Sequence, residues 1–258
     1  MKIISLGLGV QSTALYLMSS LGKLERADYA IFADPGAELP RTYEILDLLK
    51  EWAKDNNGIP IVVTEKNLYK DLINKKNSYG GRWASIPAFT KNGKGMLRRQ
   101  CTQEYKVNPI IKKIRELRGI KKHKHLPHTE VWLGISLDEI QRMKTSTMSR
   151  ITYNYPLIDN MMTRSDCTSF FEIVGFPTPP KSSCVFCPYH ANSQWLDIKQ
   201  NCKKSWDMAV LVDESIRNLK SFGVDDELYV HRSGIPLADA ALNSQQELFM
   251  CEEGFCGI

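Results

Sequence analysis

No run of apolar residues in this 258-residue chain is long enough to cross a bilayer as a helix, which argues against a helical membrane protein. The N-terminus has no long apolar core of the secretory kind, so the expected setting is cytoplasmic. There is no internal repeat, no low-complexity segment and no clear linker. One large domain, or one domain with an appendage, is the organisation this leaves. The common nucleotide fingerprints are missing too. No Gly-Lys-Ser/Thr is present, which excludes the usual P-loop, and the first glycine-rich turn lacks the third glycine of a dinucleotide site. A paired disulfide framework does not suit seven cysteines, an odd number, in such a chain. Metal ligation or thiol chemistry suits the clustered ones better.

What is present begins at the first residues. Lys2 to Leu6 reads as a strand, Ser5-Leu6-Gly7-Leu8-Gly9-Val10-Gln11-Ser12-Thr13 as a turn, and Ser12 to Leu21 as a helix. This is the layout of a phosphate cradle. Glycine lets the backbone approach an anion, N–H groups of the first helical turn point at it, and Ser12 and Thr13 add hydroxyls. The same turn also serves as a plain corner in many α/β proteins. Tyr29 to Phe32 is a second strand, residues 39 to 55 have helical periodicity, and Ile59 to Thr64 is a third strand. The resulting β-α-β-α-β order predicts a parallel sheet with helices on both faces. Ligands of such sheets bind beyond the carboxyl ends of the strands. Further on, Thr129 to Ile135 reads as a strand, Lys106 to Arg118 as a basic helix and Gln194 to Leu219 as a helix.

The net charge of +5 hides an asymmetry. Residues 65–124 hold 17 Lys and Arg against 4 acids, a local excess of 13, so the remainder carries −8. With Tyr69, Tyr79, Trp83 and Phe89 interleaved, the segment suits nucleic acid or a large nucleotide. A solvated basic face is the plain alternative.

Four further motifs carry chemistry. Asp34-Pro35-Gly36-Ala37-Glu38 offers carboxylates for Mg²⁺ or a ribose hydroxyl, or simply starts a helix. Arg98-Arg99-Gln100-Cys101-Thr102 sets cations beside a thiol, which favours the thiolate or holds a phosphate. Trp132-Leu133-Gly134-Ile135-Ser136 is followed by Asp138, Glu139 and Arg142, and Arg142 suits a transferring phosphoryl group. Cys184-Val185-Phe186-Cys187 suits zinc, an iron–sulfur cluster or a redox dithiol, with Cys101, His190, Cys202, Cys251 and Cys256 as further candidate ligands.

In this order the motifs resemble the PP-loop ATP pyrophosphatase superfamily, specifically its phosphoadenosine phosphosulfate reductase-like branch, over roughly residues 1 to 200. The resemblance implies an adenine nucleotide alpha hydrolase-like α/β fold with a five-stranded parallel sheet. It implies a nucleotide-binding domain over 1–180 and a Cys-containing C-terminal extension, helical, over 181–258. ATP or adenylyl sulfate would sit on Ser5, Gly7, Gly9, Gln11, Ser12 and Thr13, with Mg²⁺, and with Asp34 and Glu38 near the nucleotide. Ser12, Arg99, Arg142 and Cys256 would serve catalysis. Cys101, Cys184 and Cys187, with Cys202 or His190, would hold an iron–sulfur cluster or, failing that, zinc. Implied partners are a nucleic acid along 65–124 and a sulfur donor such as a cysteine desulfurase, with no membrane. The implied activity is ATP cleavage to AMP and pyrophosphate that adenylates a substrate for sulfur transfer, as in DNA phosphorothioation. Reduction of adenylyl or phosphoadenylyl sulfate, and a non-catalytic nucleotide-binding subunit, are the alternatives. The chain departs from the family at Gln11, where the usual loop has Asp, and at Gln100-Cys101, where reductases with a cluster have Cys-Cys.

Overall fold

Strand formation in the first third follows the expected alternation of short apolar runs with amphipathic helices. The computed structural model describes residues 1–80, 82–91, 95–121 and 123–242. In chain order the elements are β1 (Lys2–Ser5), α1 (Val10–Ser20), β2 (Tyr29–Asp34), α2 (Pro40–Asp55), β3 (Ile61–Glu65), α3 (Leu68–Ile73), β4 (Phe89–Thr90), α4 (Asn108–Leu117), β5 (Thr129–Leu133), β6 (Ile151–Asn154), α5 (Pro156–Asp159), α6 (Arg164–Val174), α7 (Asn192–Asn201), α8 (Lys203–Ser215) and β7 (Leu228–Tyr229). They form two compact units, one of residues 1–33, 40–64 and 108–182, the other of 34–39, 65–107 and 183–258.

The first unit is an α/β structure around a five-stranded all-parallel sheet, ordered β3-β2-β1-β5-β6. Ile4 of β1 lies opposite Ala30 and Trp132, while Ile3 lies opposite Tyr29 and Val131. The period-2 geometry sends these two sets to opposite faces. Ile4, Ala30, Phe32 and Trp132 join one core with Ala14, Leu15 and Leu17 of α1, Ile45 and Leu49 of α2, and Phe171 of α6. Ile3, Ile31 and Val131, on the other face, are buried as well. A sheet covered on both sides needs such near-continuous apolar strands. Helix α1 is buried along its whole length. Its Tyr16 hydroxyl finds the partner that burial demands, donating to the Ile59 carbonyl at 2.7 Å.

The chain runs outward from β1 through β2 to β3, then returns to lay β5 and β6 on the other side of β1. The β1/β5 junction is therefore the topological switch point, where connections leave in opposite directions and a crevice opens at the carboxyl ends.

The second unit packs α3, α7, α8 and the antiparallel pair β4–β7 around a separate core that includes Trp195, Val212, Leu228 and Val230. The expected helix from 194 to 219 is broken. Cys202, at φ −143° and ψ 75°, ends α7 and starts α8. The expected basic helix lies in a longer helical run, in which Gln103–Val107 is a π segment and α4 follows from Asn108.

Asp213 of α8 organises the loops of this unit. Its buried carboxylate accepts the N–H groups of Val230 at 2.7 Å and Leu237 at 3.1 Å, and pairs with Arg217. Arg217 also stacks over Tyr229, 3.6 Å from the ring centroid. Burial pushes the Asp213 carboxyl above its ordinary value, while these donors pull it back. Close by in sequence, buried His231 bonds through Nε2 to Asn192 Oδ1 at 3.0 Å and through Nδ1 to the Ser233 hydroxyl at 2.7 Å. The Ser233 backbone N–H also points at Nδ1, at 3.2 Å. Nδ1 is thus an acceptor and the ring is neutral. Burial, aided by the Arg232 charge, pushes its pKa down to about 4.

The native state therefore refuses a proton that the unfolded chain takes up near pH 6.5. Stability from this group is complete above pH 6.5 and falls as the pH drops toward 4, by up to about 3 kcal/mol. Urea midpoints measured from pH 7 to pH 4.5 should fall more steeply for the native sequence than for His231→Gln. Equal slopes in the two proteins would contradict the assignment.

Candidate functional site

At the switch point, the turn after β1 is held in an uncommon shape. Leu8 is fully buried and adopts φ +60°, a left-handed conformation that non-glycine residues seldom take. Gly9 then stands at the start of α1 with its carbonyl accepting the Thr13 N–H at 3.0 Å. Ser12 folds back over the turn: its hydroxyl accepts the Gly7 N–H at 3.2 Å and donates to the Gly9 carbonyl at 3.3 Å. No side chain caps α1. Its first N–H groups thus present the positive end of the helix to the crevice. Thr13 Oγ1 is buried with no hydrogen-bond partner among the described residues.

The end of β5 closes the other side. A Cβ built on Gly134 would stand 2.6 Å from both the Cα and the N of Ser12, and 2.9 Å from the Gln11 carbonyl carbon. Those are backbone atoms, which cannot swing aside. Glycine is required there because the β5 backbone passes directly against the first turn of α1.

Beyond Gly134 lies a polar network. The Gln11 amide nitrogen donates to Glu139 Oε2 at 3.1 Å and to the Ser136 hydroxyl at 3.3 Å. Its carbonyl oxygen accepts from Arg164 Nη1 at 3.1 Å. Glu139 Oε2 also accepts from Arg142 Nη1 at 2.6 Å, with both side chains 13% exposed. Arg164 is the first residue of α6, placed by a reciprocal cap in which Thr163 and Asp166 satisfy each other's N–H groups. The structure thus brings together Ser5, Gly7, Gly9, Gln11, Ser12, Thr13 and Arg142, and adds Ser136, Glu139 and Arg164. Nothing local in the sequence marks Arg164, which meets Gln11 across 153 positions.

Gln11 offers a cation only a carbonyl oxygen, and that oxygen is engaged by a guanidinium. The loop itself carries no carboxylate to hold a Mg²⁺ ion.

The second unit holds the remaining candidates. Asp34 Oδ1 accepts the Gly36 N–H at 2.7 Å, as a turn-forming aspartate does. Gly36, at φ +70°, leaves no room for a Cβ, which would meet the Lys66 carbonyl at 2.7 Å. The Glu38 carboxylate is fully buried and is neutralised by Lys106 Nζ at 2.9 Å. Residues 37 and 38 pair antiparallel with 184 and 185, so the Cys-x-x-Cys turn is tied to this segment. The turn itself closes with the Cys187 N–H on the Cys184 carbonyl at 3.0 Å. Cys101, Cys184 and Cys187 line one cavity together with Arg99, Thr102, Lys106, Ser183 and Tyr189. The Ser183 hydroxyl there is buried with no hydrogen-bond partner among the described residues. Arg99 stands 5.9 Å over the Tyr189 ring.

Cys202 is not part of that lining, and its thiol bonds to the Ser205 hydroxyl at 2.9 Å. His190 turns its ring to the Cys184 carbonyl at 2.9 Å and against Trp195. Among the described residues, no group of three or more His, Cys, Asp or Glu stands so as to hold a metal ion. Cys101, Cys184 and Cys187 are the thiols that share this one cavity. Cys251 and Cys256 lie outside the described residues.

No family model matches the chain, and no curated protein matches it.

Two outcomes test this geometry. Gly134→Ala should destabilise the protein by about 1–3 kcal/mol in urea unfolding, the cost of forcing a methyl group into a filled space; an unchanged midpoint would disprove the close approach. Cys167, fully buried on α6 with its thiol pushed up to about 12 by burial, should resist thiol reagents until the protein unfolds. The partly exposed Cys101, Cys184 and Cys187 should be modified in the native state.

Proposed function

We propose that this protein binds an adenine nucleotide at the β1/β5 switch point and cleaves ATP between its α and β phosphates. The arrangement that carries the reading is the uncapped start of α1, pressed against Gly134 and flanked by Arg142. The first N–H groups of α1 carry no side-chain cap, Ser12 and Thr13 stand on its first turn, and the Arg142 guanidinium is held on Glu139 beside Gln11; donors of these kinds suit phosphate oxygens. In the reaction, a substrate oxygen attacks the α phosphorus and pyrophosphate leaves. The substrate oxygen then carries AMP, and a sulfur nucleophile displaces AMP to complete the transfer. Donors fixed at the helix start meet the charge that develops on the phosphates.

The sulfur step is supported by three thiols around one cavity with Arg99. No step is routed through an iron–sulfur cluster or zinc, since no metal-holding group of three stands among the described residues. A nucleic acid is the acceptor favoured by the basic segment 65–124. Tyr79 lies in that segment, 69% exposed with Lys66 5.8 Å over its ring.

Gln11 favours a second reading. Its amide is engaged at both ends, so the loop can grip a nucleotide without turning it over, as a binding subunit of a modification complex would. Incubation with labelled ATP and Mg²⁺, with and without DNA or RNA, separates the two. AMP and pyrophosphate are expected, with kcat about 100-fold lower in Arg142→Ala, the loss typical of one transition-state donor. Tight ATP binding without products would establish the binding subunit instead. Turnover of adenylyl sulfate alone would make the protein a reductase.

A further inference from the structure

We propose that Arg164 is a phosphate-binding residue of the nucleotide site and that the Gln11–Arg164 pair lets the site take the nucleotide without a divalent cation. This rests on the reading of the crevice as a nucleotide site.

The Gln11 amide has one workable orientation. Turned over, its NH₂ would face the Arg164 guanidinium and its oxygen would face the Glu139 carboxylate, two repulsive contacts in place of two hydrogen bonds. Buried and pinned, Gln11 fixes where the Arg164 guanidinium stands, one residue from Ser12 on the first turn of α1. Arg164 uses one of its five guanidinium donors on Gln11, and the residue itself is exposed. The other donors make no hydrogen bond among the described residues and keep the planar fork that suits phosphate oxygens.

Charge explains why the residue at position 11 is neutral. Around it stand two guanidiniums, Arg142 and Arg164, and two carboxylates, Glu139 and Asp138. Glu139 is taken up by Arg142 and by Gln11 itself. Asp138 accepts the Arg164 backbone N–H at 3.0 Å, at the start of α6. The side chains balance, and the start of α1 adds a partial positive charge. A carboxylate at position 11 would face Glu139 directly and leave the mouth with one excess negative charge, which a polyphosphate would enter only with a cation. With Gln11 in place, Arg164 supplies that neutralisation from the protein.

Calorimetry with a non-hydrolysable ATP analogue, in EDTA and then in excess Mg²⁺, tests this. The native protein should bind in both media with Kd values within about threefold. Arg164→Ala should weaken binding tenfold or more in EDTA, and Arg164→Lys should recover part of the loss. Thr163 and Asp166 still cap α6 in both variants, and an unchanged unfolding midpoint would show that the fold is intact. Gln11→Asp should lose binding in EDTA by tenfold or more and regain it with Mg²⁺, a metal dependence that a merely structural role would not create. Binding of the native protein only with Mg²⁺, or no effect of Arg164→Ala, would overturn the proposal and leave the nucleotide site standing. No binding of the analogue in either medium would remove the nucleotide reading itself.

Discussion

Everything in the first unit that bears on function depends on one close approach, the backbone of β5 at Gly134 against the first turn of α1 at Ser12. Parallel pairing of β1 with β5 sets the two strands side by side, and the absence of a side chain at 134 lets the helix start come down between their ends. From that contact follows the position of Gln11, and from Gln11 the positions of Glu139, Arg142 and Arg164. The network is polar and partly buried, so its members are worth more together than any surface ion pair among them would be alone. The core beneath it is a conventional one, with α1 buried from end to end between the sheet and its neighbouring helices.

The second unit is built on a different principle. Among its described residues the strands form a two-stranded antiparallel pair, and the connections are long. Asp213 compensates by gathering two backbone N–H groups and Arg217 onto one carboxylate. Buried carboxylates of this kind are costly unless every oxygen is satisfied, and here backbone and side-chain donors do so. The thiols of Cys101, Cys184 and Cys187 stand in this unit, around a cavity whose walls are otherwise largely apolar and aromatic.

Local signals in the sequence were legible where one element sufficed to produce them. The first three strands and two helices were visible because apolar runs of the right length alternate with helical periodicity. The strand at 129–133 stood out for its β-prone, aromatic composition. Ile151–Asn154 did not, because four residues of mixed polarity carry no periodicity of their own and become a strand only by pairing with β5. The break at Cys202 was hidden for a similar reason: neither glycine nor proline marks it, and apolar spacing continues across it. Of the site, the loop and Arg142 could be read from motifs. Arg164 could not, since its role exists only once the sheet order has brought α6 beside α1. Likewise, spacing grouped only Cys184 with Cys187, the resemblance added Cys101, and only the fold separates Cys202 from them.

Leu8 has a consequence for affinity. A left-handed backbone at a non-glycine residue costs roughly 1–2 kcal/mol. Complete burial of a leucine side chain returns about the same or somewhat more. The turn is therefore locked by its own anchor before any ligand arrives, with Ser12 bridging Gly7 and Gly9 above it. On the proposed nucleotide reading, a loop fixed in this way would lose little chain entropy if a phosphate entered. More of the contact energy would then appear as binding, and an anion that did not match the preset spacing of the N–H groups would gain nothing from the loop's yielding to it.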